Sequence, residues 1–360
     1  MNLELTDEQV ALRDTLRRFL SEKASISGHV RALLDDPTGS TGAVWRGLAD
    51  LGATGLLVPA EYGGAGMTMV EAGVVAEELG AALYPGPWLS SAVAAVRALA
   101  RFGAKAPGLL TGIADGTTIA TVALDQAAGT SRAVGIVLTG ALSAVPDAAA
   151  ADVLLVLAET AGDTALFAVD TSAPGVSVTS ERGIDQTRKE FRVELDGVAA
   201  QRLADAPPDA VAALADDVLI ARAADALGAA RAVLHLAVDY AKVRKQFGQA
   251  IGSFQAIQHL CVDMYETVEL ARSGVIHALW AADEADPAER HLASVRAKAF
   301  SGRLATVADT AIQVFGGIGY TWEHDAHLYL KRLLGWSAFR GGPDRYLTEL
   351  GAGLAKSGLS

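Results

Sequence analysis

The chain has 360 residues, of which 51% are hydrophobic and 20% charged, with a formal net charge of −12. So acidic a balance excludes a nucleic-acid partner gripped through clustered Lys and Arg, and so apolar a composition excludes a disordered chain. The single cysteine, Cys261, excludes a disulfide framework and points to a reducing, cytoplasmic compartment.

The length predicts two or three structural units. Residues 1–115 read as a helical domain. Its first residues are charged and periodic, which predicts neither a signal peptide nor an anchor, and no run approaches the roughly 20 apolar residues that span a bilayer. Thr6-Asp7-Glu8 opens a helix with a polar cap and an acidic first turn, followed by apolar Val10, Leu12, Leu16 and Leu20. A second helix is predicted around Trp45-Arg46-Gly47-Leu48, a glycine-rich loop at 59–66, and a further helix from Met69; Tyr84-Pro85-Gly86-Pro87 breaks the chain again.

Residues 116–205 change period. Short β-branched runs at 117–122, 153–156 and 166–169, and the alternating Phe191-Arg192-Val193-Glu194-Leu195, predict a small middle β-barrel or sandwich. Pro207-Pro208 marks the next boundary.

Residues 206–360 are predicted helical throughout. Three sets step by three or four: Ile220 to Ala241, Phe254 to Ala278, and Phe300, Leu304, Val307, Ala311 and Val314. Long helices with short connections predict an antiparallel bundle.

Two motifs in this last zone carry chemistry. Arg244-Lys245-Gln246-Phe247-Gly248 falls where the first bundle helix is expected to end, at Gly248, with Ser253 placed to cap the next. A guanidinium beside an amide and an aromatic ring can hold a pyrophosphate and a nucleotide ring; a solvated basic corner is the plainer reading. Gln313-Val314-Phe315-Gly316-Gly317-Ile318-Gly319-Tyr320 allows close backbone approach, yet follows a helix and so is no dinucleotide fingerprint; alone it reads equally as a tight turn. His324 and His327 sit three apart with no third metal ligand in view, which favours a surface or interface role.

In this order and spacing the two motifs resemble the acyl-CoA dehydrogenase family, whose last domain carries R-x-Q-F-G and then Q-x-x-G-G-x-G-Y. The likeness covers nearly the whole chain: Trp45 to Gly66, Asp185 to Arg188 and Thr321 to Arg332 also match patterns seen in that family, the last two in actinobacterial members. The resemblance implies a helical, β, helical architecture and a tetramer with FAD across a subunit interface. Arg244, Gln246 and Phe247 would reach the ADP part of a flavin bound mainly by the neighbouring subunit. Gln313, Val314, Phe315, Gly316 and Gly317 would line its adenine and pyrophosphate.

The chain also departs from the family. The middle-domain T-E-P-x-A-G-S-D loop is replaced by Leu124 to Ser131, and the segment Leu142 to Asp147 lacks the expected Trp. Removing an α proton from a thioester needs a carboxylate base. Counting from the matched motifs, the two positions where relatives carry that Glu are Arg340 and Val218, and neither can serve. Asp217, one residue away, is turned about 100° around the helix. Asp216, Asp225 and Glu323 are other nearby carboxylates, so the catalytic residue stays unassigned. The ending Gly341-Gly342-Pro343-Asp344-Arg345-Tyr346-Leu347 to Ala352 resembles the base-lacking chain of actinobacterial heterotetrameric dehydrogenases. The resemblance therefore implies a subunit that completes the FAD site of a homologous Glu-bearing partner. Its substrate would be an acyl-CoA thioester, by association one with a steroid side chain, and an electron-transfer flavoprotein would accept the electrons. A self-sufficient homotetramer with a displaced base and a non-redox acyl-CoA-binding scaffold are the alternatives.

Overall fold

The computed structural model of the chain describes residues 4–132, 135–160 and 162–357, apart from the side chains of 125–132, 135, 356 and 357. By their contacts the residues group into two units. One joins Met1–His29, Gly73–Tyr84 and Leu219–Ser360; the other joins Val30–Ala72 and Pro85–Val218.

The first unit is helical. α1 (Asp7–Lys23) starts with a capping box: Thr6 Oγ1 accepts from the Gln9 amide, and the Gln9 side chain accepts from the Thr6 amide. α3 (Met69–Ala81) and α6 (Pro208–Val243) pass at the closest distance two backbones allow. A Cβ on Gly228 would lie 1.8 Å from the Glu77 carbonyl oxygen, and one on Gly80 would lie 1.9 Å from that of Asp225. Only glycine fits either position. α7 (Gln255–Glu284), α8 (Pro287–Ser301), α9 (Leu304–Phe315), α10 (Ala326–Ala338) and α11 (Pro343–Ser357) follow. The buried faces of α6, α7 and α9 carry most of the periodic residues, among them Ile220, Leu227, Leu234, Met264, Val268 and Val307. Phe300 does not belong to that third set. Gly302 ends α8 before α9 begins, its amide donating to the Lys298 carbonyl, and Phe300 is left 38% exposed.

The second unit holds α2 (Gly42–Asp50), capped by Thr41, α4 (Val96–Arg101), which continues a π-helical run at Leu89–Ala95, and α5 (Pro107–Ala114). Buried indoles are satisfied by carbonyls, Trp45 by Gly116 and Trp88 by Ala53, each at 2.8 Å. Six strands come next: β1 (Ala120–Arg132), β2 (Gly135–Pro146), β3 (Val153–Thr160), β4 (Asp163–Asp170), β5 (Val176–Glu181) and β6 (Glu190–Asp205). Their order is β2-β1-β3-β4-β6-β5, and β2 also pairs with β6, which closes the sheet on itself. β1 and β3 run parallel; every other pairing is antiparallel. Leu138, Leu154, Phe167, Phe191 and Val193 fill the enclosed core. The expected helical, β, helical order is thus the observed one. No helix among the described residues is long and apolar enough to cross a membrane.

Candidate functional site

α6 ends at Val243, where the Arg244 amide donates to the Tyr240 carbonyl at 2.8 Å. The chain then forms a miniature hairpin, β7 (Lys245–Gln246) paired with β8 (Gln249–Ala250), Gln246 opposite Gln249. Phe247 and Gly248 make its two-residue turn with φ of 54° and 84°, the two positive values of a type I′ turn. Gly248 therefore serves a hairpin and does not end the helix. Ser253 does not cap α7 either: its hydroxyl turns back to the Ala250 carbonyl at 2.6 Å, and Phe254 stands at the cap without a side-chain bond.

Glycine is at home in such a turn; phenylalanine is not. Phe247 is also 92% exposed, touching Phe254 edge-on at 6.1 Å between ring centres. Arg244, Gln246 and Gln313 are exposed as well. Among the described residues, Arg244 makes no side-chain hydrogen bond or ion pair, and the Gln246 amide reaches only the neighbouring Lys245 carbonyl, at 2.9 Å.

α9 ends at Phe315, and Gly316, with φ 67°, turns the chain into a short 3-10 segment. Val314 and Phe315 are buried, whereas Gly316 and Gly317 are exposed. The Phe315 ring lies 5.2 Å from Tyr240 and 4.2 Å from His324. Tyr240 stands one turn before Arg244, so this contact joins the end of α6 to the end of α9 and brings the two motifs to one corner of the first unit. Sequence reading singled out neither Tyr240 for this role nor His324; the one available signal was an aromatic four residues before Arg244. Tyr320 and Trp322, 72% and 57% exposed, follow the same turn.

Two of the carboxylates weighed as bases, Asp217 and Asp225, are bound to arginines. Asp217 is fully buried in the second unit and accepts from Arg97 and Arg101, four bonds between 2.8 and 3.2 Å. Asp225, in the first unit, accepts from buried Arg332 at 2.9 and 3.1 Å. Asp216 is buried, and Glu323 is exposed beyond the glycine turn. Val218 is half-buried, while Arg340 is exposed with φ 51°. The His324 Nδ1 accepts from the Ala326 amide at 3.1 Å, and His327 packs at 4.5 Å from Trp322. No group of three candidate metal ligands occurs among the described residues. Of the substituted middle-domain segment, the side chains of Asp125 to Ser131 lie outside the described residues. The later segment ends in Asp147, which accepts from Ser90 at 2.5 Å.

The first unit also holds a cleft of about 620 Å³, lined among others by Arg17, Glu78, Arg231 and His235. Its strongest charges neutralise one another: Arg17 and Arg231 both bind Glu78, at 2.7 and 2.9 Å, and Arg231 also binds Glu77.

The chain is similar to known proteins along nearly its whole length. The family model for the acyl-CoA dehydrogenase N-terminal domain matches residues 6–107, and that for the C-terminal domain matches residues 220–352. The acyl-CoA dehydrogenase IpdE2 of Mycobacterium tuberculosis is 34% identical over 345 residues, 96% of each chain. The acyl-CoA dehydrogenase FadE34 of the same organism is 36% identical over 99% of this chain, which spans only 49% of that relative's length. Among solved structures, the ChsE4–ChsE5 complex from Mycobacterium tuberculosis superposes with a TM-score of 0.89 at 31% identity, covering 99% of both chains. A variant of the steroid acyl-CoA dehydrogenase Tcur3481–Tcur3483 does so with a TM-score of 0.88 at 30% identity, covering 98% of this chain and 99% of that one.

Proposed function

The chain belongs to the acyl-CoA dehydrogenase family, and from that premise we propose that it is one subunit of a heteromeric enzyme that introduces an α,β double bond into an acyl-CoA thioester. A homologous partner supplies the catalytic glutamate and most of the flavin contacts; this chain completes the site. One observation carries the reading: the Tyr240–Phe315 contact joins the ends of α6 and α9, and the segments it joins carry Arg244, Gln246, Phe247, Gln313, Gly316 and Gly317, all exposed and making few bonds of their own.

The donor set fits the nucleotide half of FAD. A guanidinium offers forked donors to phosphate oxygens, two amides add neutral donors, and two exposed glycines let a ligand reach the backbone. The exposed Phe247 ring suits a planar base or ring held by the other subunit. Bound there, FAD would supply the acceptor for the hydride leaving the β carbon. The residues named here would hold its phosphate end.

Three findings support a lost base. Arg340 and Val218 occupy the positions expected for it. Asp217 sits between two guanidinium groups, where its lone pairs are already committed. Asp225 is bound to Arg332. A two-chain assembly is supported by the ChsE4–ChsE5 complex, and by a relative of about twice this length of which the chain matches half. A steroid-derived acyl group is supported by the likeness to a steroid acyl-CoA dehydrogenase. Cytoplasmic location and an electron-transfer flavoprotein as acceptor belong to the same proposal.

The test is the visible spectrum of the chain expressed alone and together with a Glu-bearing homologue. Colourless protein that becomes yellow and active only in the pair supports the proposal. A full complement of flavin with turnover by the chain alone overturns it. In the pair, Arg244→Ala is expected to weaken flavin retention by about 1.5–3 kcal/mol, the range for a charged hydrogen bond. Unchanged flavin content would remove Arg244 from the site.

A further inference from the structure

We propose that Lys298 is a pH-sensitive latch on the turn joining α10 to α11, closed while its amine is neutral and released when it takes up a proton and seeks water. The Lys298 side chain is wholly buried, 0% exposed. Its Nζ donates to the carbonyls of Trp336 and Ser337, in the last turn of α10, and lies 3.8 Å from the centre of the Trp336 ring. The Trp336 indole in turn donates to Ser301 Oγ at 3.2 Å and stacks on Phe339 at 6.2 Å. Arg222 of α6 covers the Phe339 ring at 3.9 Å. These contacts lead from the lysine directly into the turn, where Arg340 and Gly341 hold φ of 51° and 101°. The Arg340 carbonyl accepts from Arg345 Nη1 and the Tyr346 hydroxyl, at 3.1 and 3.0 Å.

No carboxylate reaches Lys298 among the described residues. Of the charged groups on the surrounding elements, Arg222 faces it with like charge. Arg332 of α10 is taken up by Asp225, Arg345 of α11 by the Arg340 carbonyl, and Glu349 of α11 by His291 of α8. Helix-end carbonyls and an indole face favour an ammonium. Complete removal from water without a counter-ion opposes it. Burial first, and Arg222 second, bring the amine from its ordinary 10.5 down to about 7. A neutral amine keeps two N–H donors, enough for both carbonyls.

The direction follows from proton linkage. Opening the turn returns Lys298 to water, where it again titrates near 10.5, so the open form binds more protons than the closed one. Between pH 7 and 10.5, each unit of falling pH therefore favours opening by up to about tenfold; below pH 7 both forms are protonated and the dependence ends.

Amide exchange on the full chain tests this, corrected for intrinsic rates and read at Phe339 and Gly341. Their N–H groups donate to carbonyls of α10, Phe339 to those of Gly335 and Trp336 and Gly341 to that of Ala338. From pH 9 to pH 7 the opening constant is expected to rise by about tenfold per unit, and in Lys298→Met it is expected to stay level. A level wild-type profile, or an undiminished slope in Lys298→Met, overturns the proposal. If that variant does not fold, Arg222→Met decides. Loss of the like charge must then move the lower end of the sloping window to higher pH, and an unmoved window overturns the idea.

Discussion

The middle of α6 and its carboxyl-terminal end are built on opposite terms. Around Asp225 to Arg231 the polar groups are matched within the chain: Asp225 with Arg332, whose other nitrogen donates to the Tyr84 carbonyl at 3.1 Å, and Arg231 with Glu77 and Glu78. Backbones there approach until only glycine fits. Nearly four turns further on, Arg244, Gln246 and Phe247 stand exposed, and one of them bends its backbone into a region that phenylalanine avoids. The first region spends its charges on cohesion, whereas the second leaves them exposed, where the proposal seats another molecule. Burial with complete pairing marks structure; exposure with backbone strain marks a site.

Three substitutions bear on this contrast. The largest effect is expected from Arg332→Met, which leaves Asp225 buried without its cation; a buried charge so stranded costs about 3–5 kcal/mol, read as a fall in unfolding free energy in denaturant. A loss under about 1 kcal/mol would mean that the pair is not what holds α6 to α10. Next comes Gly228→Ala. A methyl group aimed at a backbone carbonyl cannot be relieved by a rotamer change, so a loss near the upper end of the ~1–3 kcal/mol range for overpacking is expected. The smallest effect has the opposite sign. Phe247→Gly relieves a left-handed phenylalanine, and is expected to leave the isolated chain as stable or more so by ~1 kcal/mol, while weakening association with a flavin-bearing partner. Destabilisation of the isolated chain by more than that would place Phe247 with the cohesive region and erase the distinction.

Much of this was legible beforehand, for physical reasons that differ by element. α6 and α7 announce themselves because long amphipathic helices repeat an apolar residue every three or four positions over many turns. The break between α8 and α9 was hidden because Phe300 and Leu304 stay in phase across Gly302-Arg303. β5 went unread because its Val-Ser-Val-Thr-Ser-Glu run is largely exposed, and β2 because it carries glycines and small residues that dilute the alternation. The hairpin at 245–250 was unreadable, since Phe-Gly is not a pair that signals a type I′ turn. At the corner, family likeness named the side chains proposed to meet the flavin, yet nothing in the sequence paired Tyr240 with Phe315. The partnership of Arg332 with Asp225, 107 residues apart, is likewise a product of tertiary packing alone.

The barrel has one strand on which its neighbours depend. β6 runs for sixteen residues and pairs with β2, β4 and β5. Because side chains alternate faces along a strand, inserting or deleting one residue in its middle would turn Phe191, Val193 and Leu195 outward together and slip the alignment of more than one partner. Natural length variation in this domain is therefore expected to gather in the connections between strands, and a library of single-residue deletions would find β6 the least tolerant stretch of the sheet.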